Sequence, residues 1–384
     1  MNAEIIKKYY AGKKVLVTGD TGFKGSWLSL WLSYLGAHVY GLGLPPSPED
    51  GNFELCELDS LISHKTLDIC DYHALHDHIL HISPDIVFHL AAQPLVRLSY
   101  EIPRETMLTN VMGTVHILEA IRHVPSIHAA IMVTSDKCYE NKEWIHGYRE
   151  CDPMGGYDPY SASKGAAEIV IQSYLHSYFN NSSSACIASV RAGNVIGAGD
   201  QSLDRIIPDC IRSIRGGKPL IIRNPSALRP WQHVLEPLSG YLLLGALLGM
   251  KHSTNDSNGR TCCEEKRRLC GAWNFGPRYE SIIPVEQIVK MFFTIAGSGT
   301  YQCESSSAHL HEASTLALDI AKAVLLLKWS PVLDIHETLQ WTWDGYKVEK
   351  SEESIRSHRI QQIEEYMNRM DAVPVPMVIG KRHP

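Results

Sequence analysis

Short apolar segments alternate with longer amphipathic segments along the first half of the chain. We predict strands at KKVLVTG, AHVYGLGL, PDIVFHLAA and HAAIMVTS, and helices at GSWLSLWLSYLG and TNVMGTVHILEAIRHV. The first helix carries apolar side chains at Trp27, Leu30 and Trp31, and Gly36 is a natural end for it. Alternation at this spacing is typical of a parallel sheet covered on both faces. The predicted fold class is α/β, a Rossmann-type doubly wound parallel sheet.

The pattern loosens after about residue 195, which indicates a second, smaller α+β domain. A polar and charged stretch at about 251–271 has the composition of an exposed insertion. The predicted boundaries place the Rossmann domain at 1–195 plus roughly 230–275, the smaller domain at roughly 196–229 and 276–348, and a charged C-terminal tail at 349–384.

Composition and charge narrow the classes of function. The 384 residues are 44% hydrophobic and 20% charged, which are ordinary values for a globular protein. The formal net charge is −6 and no basic face is visible, which argues against nucleic acid as a partner. The N-terminal segment has no apolar signal core, and no segment reaches the ~18 consecutive apolar residues of a membrane helix. We therefore expect a cytoplasmic protein with no membrane partner.

The ten cysteines raise the question of a metal site. Most are scattered singly, and only Cys262, Cys263 and Cys270, with His252 upstream, lie close together. The chain has no Cys-x-x-Cys pair, so we expect reduced thiols in a surface insertion and no metal.

A glycine-rich loop joins the first predicted strand to the first helix and contains Gly19, Gly22 and Gly25. Glycines let the backbone approach a pyrophosphate, whose charge is stabilised by the helix N-terminus. A turn with a purely structural role is the alternative. No acid for an adenosine ribose is obvious after HVYG, and no Arg or Lys follows that would bind a 2′-phosphate. The loop therefore favours NAD over NADP.

The segment LDICD follows the third predicted strand. Asp68 and Ile69 are candidates to flank the adenine of a dinucleotide. An ordinary strand end, with Asp71 capping the next helix, is the alternative interpretation.

Tyr160 and Lys164 lie four residues apart in YSASKGAAEIVIQSYL, and therefore on one face of a predicted helix. A free phenol has a pKa of ~10 and is a poor base at neutral pH. A nearby ammonium, together with the positive nicotinamide of an oxidised cofactor, favours the phenolate. This pair is the predicted catalytic base; Tyr157 has no Lys four residues after it.

The predicted strand HAAIMVTS leads directly into three polar side chains, at Ser135, Asp136 and Lys137. Such a cluster at the end of an apolar strand is either a solvated loop or the chemical centre of an enzyme. The glycine loop and the Tyr160–Lys164 pair favour the second interpretation.

These motifs together resemble the extended short-chain dehydrogenase/reductase (NAD-dependent epimerase/dehydratase) family, and within it the CDP-glucose 4,6-dehydratases. The resemblance covers roughly residues 10 to 345. The stretches that carry it are VTGDTGFKGSWLSLWL, PDIVFHLAAQPLVRLSY, TNVMGTVHILEA, TSDKCYENKEWIHGYRE, DPMGGYDPYSASKGAAE, RAGNVIGAGD, IIRNPSALRPWQHVLEPLSGYL and WNFGP. It implies an NAD-dependent, redox-neutral lyase that converts CDP-glucose to CDP-4-keto-6-deoxyglucose in deoxysugar biosynthesis, for surface polysaccharide such as lipopolysaccharide.

The resemblance also implies roles for the catalytic residues. Tyr160 would take the proton of the C4 hydroxyl while hydride leaves C4 for NAD, and Ser135 would hydrogen-bond the C4 oxygen. Water is then lost across C5 and C6, which requires an acid for the departing hydroxyl and a base for the C5 proton. Asp136 would be the acid. Lys137 would be either the base or a fixed charge that stabilises the enolate, and the sequence leaves both open.

Two further sets of residues follow from the same resemblance. The expected cofactor-binding residues are Gly19, Thr21, Gly22, Phe23, Lys24, Gly25, Asp68, Ile69, Leu90, Ala91, Ala92, Tyr160 and Lys164. The expected substrate-binding residues are Gln93, Asn110, Asn194, Arg205, Arg223, Arg229 and His233. Charge and bidentate geometry suit an arginine to the substrate pyrophosphate. A polar position at a helix N-terminus is the alternative for Asn110, and a structural role is the alternative for Asn194 and Arg205.

The chain departs from the family at Asp20, where we expect a histidine between the first two glycines. A carboxylate close to a pyrophosphate is unfavourable unless it points to solvent or pairs with Lys24. Alternative functions are dehydration of another nucleotide sugar, nucleotide-sugar 4-epimerisation, which needs no acid and base at C5 and C6, and nucleotide-sugar binding without catalysis. The helices TNVMGTVHILEAIRHV and YSASKGAAEIVIQSYL resemble the pair that forms a dimer in the family, so we expect a homodimer.

Overall fold

The computed structural model describes residues 2–46, 51–180, 185–250, 268–304, 314–349 and 354–372. Its centre is a sheet of seven parallel strands, which are β1 (Lys14–Thr18), β2 (His38–Gly43), β3 (Ser63–Thr66), β4 (Ile86–His89), β5 (Ala129–Val133), β6 (Cys186–Ala192) and β11 (Gly271–Phe275). Their order is β11-β6-β5-β4-β1-β2-β3. The predicted Rossmann-type α/β fold is confirmed.

Helices cover both faces of the sheet and form part of a smaller region beside it. They are α1 (Asn2–Tyr10), α2 (Phe23–Tyr34), α3 (Asn52–Leu55), α4 (Tyr72–Ile82), α5 (Val96–Glu101), α6 (Pro103–Met107), α7 (Gly113–His123), α8 (Pro159–Ser177), α9 (Ile206–Gly216), α10 (Leu235–Gly249), α11 (Val285–Ala296), α12 (Ile335–Val348) and α13 (Ile355–Met370). Successive strand residues face opposite layers. Val15 and Val17 pack with α1, α2, α10 and α13, whereas Leu16 packs with α4, α7 and α8.

Three short strand pairs and three helices form a smaller region beside the sheet. The strands are β7 (Val195–Ile196) paired with β10 (Gln232–His233), β8 (Leu220–Ile222) with β13 (Tyr301–Cys303), and β9 (Leu228–Pro230) with β12 (Ile282–Pro284). Helices α9, α11 and α12 surround a separate apolar core that includes Ile207, Phe292 and Leu339. The domain boundaries given above stay a prediction.

Part of the predicted C-terminal tail is an ordered helix, α13, which packs on the helices α1 and α2 that cover the Rossmann sheet. The indole N–H of Trp31 points at Met367 Sδ at 3.2 Å, and the hydroxyl of Tyr366 donates to Glu236 Oε2 at 2.6 Å. Glu236 also accepts from the backbone N–H groups of Val332 and Leu333. Burial raises the pKa of Glu236 to about 7, and these hydrogen bonds oppose the rise. Residues 355–370 therefore belong to the core.

The helices among the described residues are too short or too polar to cross a bilayer. The same residues contain no group of three or more His, Cys, Asp or Glu placed to hold a metal ion. Of the predicted cluster of cysteines and a histidine, Cys262, Cys263 and His252 lie outside the described residues, and Cys270 is half-buried.

The carboxyl ends of β1, β4, β5 and β6 lie side by side at one edge of the sheet. Thr18 pairs with His89, and Val133 pairs with Val190. In open α/β sheets ligands bind in the crevice beyond this edge. Here the crevice continues into a cleft that the smaller region closes from the other side.

Candidate active site

The glycine loop between β1 and α2 is shaped so that larger residues do not fit. Gly19 has a φ of +74°, and a Cβ there would come within 2.7 Å of the backbone nitrogen of Ala91. A Cβ on Gly25 would lie 2.0 Å from the carbonyl oxygen of Gly19. Gly22 precedes the first residue of α2, so the helix N-terminus opens onto the loop. The loop therefore has the close backbone approach and the positive helix end that a pyrophosphate requires.

We expect Gly25→Ala to weaken NAD binding by about 5- to 150-fold, because the methyl group forces the loop backbone apart and overpacking of this kind costs about 1–3 kcal/mol. Binding is measured by titration with NADH fluorescence, alongside the melting temperature. Gly22→Ala is the matched control, since its Cβ would lie 3.3 Å from the same carbonyl oxygen, a contact that a small shift relieves. Equal losses in the two variants would contradict the steric argument.

Asp20 is placed differently from both expectations. Its side chain neither points to solvent nor pairs with Lys24: it is buried and accepts a hydrogen bond from Nδ1 of His64 at 2.7 Å. A Cβ on Gly41 would lie 1.9 Å from Asp20 Oδ2, so the carboxyl fills space that a glycine in β2 leaves open. Burial raises the pKa of Asp20, and the His64 contact opposes this. The carboxyl is directed into the β2–β3 edge of the sheet.

The residues expected to flank the adenine occupy different environments. Asp68 is exposed and accepts a hydrogen bond from the backbone N–H of Cys70. Ile69 is buried, and its side chain occupies the space where a Cβ on Gly113 would lie. Asp71 caps α4 through the N–H of Ala74, as in the alternative interpretation of this segment.

The segment after β4 is fixed to the glycine loop and to α8. The N–H of Ala91 donates to the hydroxyl of Thr18, and Leu90 and Ala92 are its neighbours in sequence. The side chain of Asn110 accepts a hydrogen bond from the backbone N–H of Gln93 and donates one to its carbonyl oxygen. It also donates to the hydroxyl of Ser163 on α8 at 2.8 Å. The side chain of Asn110 therefore organises the site from within the protein.

Two of the expected substrate-binding residues, Gln93 and His233, are not among the residues that line the cleft. The side-chain NH2 of Gln93 donates to the carbonyl oxygen of Leu95 and to the hydroxyl of Thr106, and its side-chain oxygen accepts from the N–H of Leu95. His233 is fully buried between Trp27 and Trp341, and burial lowers its pKa to about 3, so its ring is neutral. A buried neutral imidazole is poorly suited to pair with a pyrophosphate, and the substrate-binding role of His233 stays a prediction.

Tyr160 and Lys164 lie one helical turn apart on α8, and both side chains are buried. Burial raises the pKa of Tyr160 to about 12, while a hydrogen bond with Ser135 and the charge of Arg205 oppose the rise. Burial lowers the pKa of Lys164 to about 8, and the carboxylate of Glu168 opposes that shift. The structure thus brings Ser135 at the end of β5 together with the phenol of Tyr160.

Asp136 lies next to Ser135 and faces the same cleft. The hydroxyl of Ser135 donates to Asp136 Oδ1 at 3.0 Å, and Oδ2 is buried with no hydrogen-bond partner among the described residues. Burial raises the pKa of Asp136, and the charges of Lys137, Arg229 and Lys24 oppose this. Such an environment favours the protonated form of the carboxyl, which is the form that a general acid requires.

A buried ion-pair network beneath these residues connects β5, β6 and α8. Glu168 accepts two hydrogen bonds from the guanidinium of Arg191, at 2.9 and 2.7 Å. It also accepts from the hydroxyls of Thr134 and Ser189. Because Thr134 precedes Ser135 and Glu168 lies one turn after Lys164, the network fixes the end of β5 relative to α8. This network was not predicted from the sequence, although Arg191 in SVRAGNV places a charge inside an otherwise apolar strand.

The cleft has a volume of about 1050 Å³ and is lined from both sides. Ser135, Asp136, Lys137 and Tyr160 lie along one part of it. Of the expected ligands, the cleft also includes Phe23, Lys24, Asn194, Arg205, Arg223 and Arg229. Three basic residues that were not predicted, Arg97, Arg212 and Lys218, join them.

The family model for GDP-mannose 4,6 dehydratase matches residues 16–342, which is most of the chain. The chain belongs to this family. It is 48% identical to a protein of Salmonella typhimurium named CDP-glucose 4,6-dehydratase, over 87% of this chain and 90% of that one. It is 27% identical to the dTDP-glucose 4,6-dehydratase of Neisseria gonorrhoeae, over 87% and 96% respectively.

Solved structures of similar fold include both dehydratases and epimerases. The dTDP-glucose 4,6-dehydratase of Bacillus anthracis, in complex with NAD, superimposes with a TM-score of 0.70 at 20% identity, over 89% of this chain and 98% of that one. The UDP-glucuronic acid 4-epimerase of Bacillus cereus, with UDP-glucuronic acid and NAD, gives 0.70 at 25% identity, over 87% and 99%. Helix α13 lies beyond the matched residues of the dehydratase family model.

Proposed function

We propose that this chain is an NAD-dependent lyase that removes water from CDP-glucose and yields CDP-4-keto-6-deoxyglucose. The observation that carries the proposal is the meeting of Ser135, Asp136 and Lys137 with Tyr160 in one cleft that also contains several arginines. The name of the Salmonella relative supports CDP-glucose as the substrate.

The glycine loop supports NAD as the cofactor. Gly19, Gly22 and Gly25, with the N-terminus of α2, would hold its pyrophosphate. When bound, NAD supplies a hydride acceptor that is restored within each turnover. Lys24 faces the cleft from this loop, where burial and the charges of Arg205 and Lys164 lower its pKa to about 8. Its ammonium adds positive charge between the cofactor loop and Asp136.

The first proton transfer belongs to Tyr160. With a pKa of about 12 the phenol keeps its proton at neutral pH, so proton removal from the C4 hydroxyl needs cationic groups close by. Arg205 and the ammonium of Lys164 supply positive charge at this end of the cleft. Ser135, which already hydrogen-bonds Tyr160, would orient the C4 oxygen toward the phenol.

Asp136 and Lys137 are the residues that we assign to the loss of water. A protonated Asp136 donates its proton to the departing C6 hydroxyl, and its unpartnered Oδ2 leaves one carboxyl oxygen available for that contact. Lys137 either removes the C5 proton or stabilises the enolate as a fixed charge. Either role requires it in the cleft, where its side chain lies.

The basic residues of the cleft would bind the diphosphate and nucleotide. Arg205, Arg223 and Arg229 present guanidinium groups suited to phosphate oxygens. Arg223 is paired with Asp204 at 2.8 Å, and Arg97 approaches the same carboxylate at 3.7 Å. An anionic substrate would compete with Asp204 for these two arginines.

The test is incubation of the purified protein and NAD with CDP-, dTDP-, GDP- and UDP-glucose, followed by mass spectrometry. We expect loss of one water from CDP-glucose alone. Loss of water from a different nucleotide sugar would reassign the substrate. An isomer of unchanged mass would indicate a 4-epimerase, and binding without conversion would contradict catalysis.

The product and substrate suggest a cellular role. A 4-keto-6-deoxy nucleotide sugar has the chemistry of a precursor of deoxysugars. We place the enzyme in the cytoplasm, where it would supply deoxysugars for surface polysaccharide such as lipopolysaccharide.

We further propose that the enzyme is a homodimer formed through α7, α8 and the turn before α7. Met107, Leu108 and Met112 are exposed there, as is Ile169 on α8 at 61%. The first three line a shallow depression of about 390 Å³ together with Ala166. A second copy of the same surface would cover these apolar side chains.

We expect Ile169→Glu to convert the dimer to a monomer. A charge buried at such an interface without a partner costs about 3–5 kcal/mol, so the dissociation constant should rise by at least about 100-fold. Light scattering during size-exclusion chromatography measures the mass. Leu80→Glu on α4, 48% exposed, is the control and should leave the mass unchanged. Dimers in both variants would rule out this surface.

A further inference from the structure

A buried arginine in the C-terminal helix joins four separate parts of the fold. Arg359 on α13 is fully buried, and its Nε donates to Asn52 Oδ1 at 3.2 Å. Nη1 donates to the carbonyl oxygen of Gly345 on α12 at 3.0 Å, and Nη2 to Glu349 at 3.2 Å. The guanidinium also lies over the ring of Trp27 on α2, 5.4 Å from its centroid.

The partners of Arg359 hold one end of a loop that lines the cleft. This loop, Ala198 to Arg205, connects β7 to α9. The indole N–H of Trp27 donates to the carbonyl oxygen of Ala198 at 3.0 Å, and the N–H of Asn52 donates to that of Gly199 at 3.3 Å. Gly199 has a φ of +81°, and a Cβ there would lie 2.5 Å from Asn52 Cβ. The loop is thus closely packed against Asn52.

The loop delivers Arg205 to the cleft. Asp200, whose carbonyl oxygen accepts from the hydroxyl of Tyr346 at 2.7 Å, binds Arg205 Nη1 through its carboxylate at 2.9 Å. Arg205 lines the cleft and its charge acts on Tyr160. The backbone position of Asp200 therefore sets where the guanidinium of Arg205 lies.

Helix α9, which follows the loop, is also tied to Arg359. Glu349, which Arg359 binds, also pairs with Arg215 in the last turn of α9 at 2.8 Å. Helix α9 begins directly after Arg205. Both the loop before Arg205 and the helix after it are therefore tied to Arg359.

We propose that Arg359 is a positioning residue that places Arg205 in the substrate cleft. The fixed fork of a guanidinium can reach three acceptors at once, here on α3 and at the end of α12, which an ammonium does less well. The inference rests on the proposed function, in which Arg205 contacts the sugar nucleotide. It gives α13, which lies outside the matched family model, a role in substrate binding.

The test is a double-mutant cycle of Arg359→Met and Arg205→Met, with turnover of CDP-glucose as the first readout. We expect Arg359→Met to raise the KM for CDP-glucose about tenfold, the loss that follows when one charged contact to substrate is misplaced. We expect kcat to fall as well, because the charge of Arg205 also acts on Tyr160. In the Arg205→Met background the same substitution should raise KM by less than about twofold, because no guanidinium remains to be positioned.

The controls separate positioning from general stability. Arg356→Met removes the neighbouring arginine of α13, which binds the backbone of Cys56 and the side chain of Glu57, and should leave KM unchanged. Equal KM increases in both backgrounds, or a lower melting temperature with KM unchanged, would overturn the proposal. If Arg359→Met does not fold, Asn52→Ala replaces it in the cycle with the same expected pattern. Absence of turnover by the unmodified protein would instead refute the proposed function.

Discussion

Tyr160→Phe is expected to lower kcat by about 10³-fold, within the range that a positioned acid or base contributes, and to leave the fold and NAD binding intact. The phenol hydrogen-bonds Ser135 and lies beside Arg205, so it is the group placed to accept the C4 proton. Loss of one hydroxyl should not disturb packing, because the ring that fills the buried site is unchanged. Formation of the dehydrated product by mass spectrometry measures the effect.

Tyr157→Phe is the matched control for this experiment. Tyr157 lies three residues before Tyr160 but is 79% exposed and does not line the cleft. Its variant should retain full activity. If Tyr157→Phe and Tyr160→Phe lost activity equally, the assignment of the base to Tyr160 would be wrong.

Lys137→Ala is expected to stop the reaction after the first hydride transfer. Bound NADH should form slowly when CDP-glucose is added, while loss of water falls by about 10²–10⁴-fold. The absorbance of reduced nicotinamide follows the first step, and mass spectrometry follows the second. Lys142→Ala, an exposed lysine paired with Glu140 on the same loop, should behave as the unmodified protein. If Lys137→Ala abolished NADH formation, Lys137 would act before the elimination.

Lys137→Arg distinguishes the two possible roles of the ammonium. A guanidinium keeps the positive charge but does not lose its proton near neutral pH, so it cannot serve as a base. Recovery of water loss in the arginine variant would identify a fixed charge. A stall as complete as in Lys137→Ala would identify a base.

The periodic pattern was sufficient for the Rossmann sheet and for the residues at its carboxyl edge. Parallel strands end at the same edge, so a polar cluster after β5 and a glycine loop after β1 had to lie near each other. The Tyr160–Lys164 spacing added the helix that faces them. These signals are local, and each needs only the residues of one strand end or one helical turn.

Side-chain direction was harder to predict, because it depends on packing partners far away in sequence. His233 follows a basic segment, yet it is enclosed by Trp27 and Trp341. The side chain of Gln93 is bound to Leu95 and Thr106. No sequence pattern indicated that Arg359 is buried. In a charged stretch a buried arginine cannot be told from a solvated one until its four partners are known.

The placement of Asp20 also limits the order in which this site can change during evolution. Gly41 and Gly43 in β2 leave the space that the carboxyl occupies, and His64 supplies its hydrogen-bond donor. A side chain added at Gly41 while Asp20 is present would collide with it, whereas the same change after Asp20 has become glycine would meet only the tip of Ile62 at 3.0 Å. Loss of His64 alone would leave a buried carboxylate without its donor. A lineage could therefore exchange these residues only along paths in which position 20 changes first.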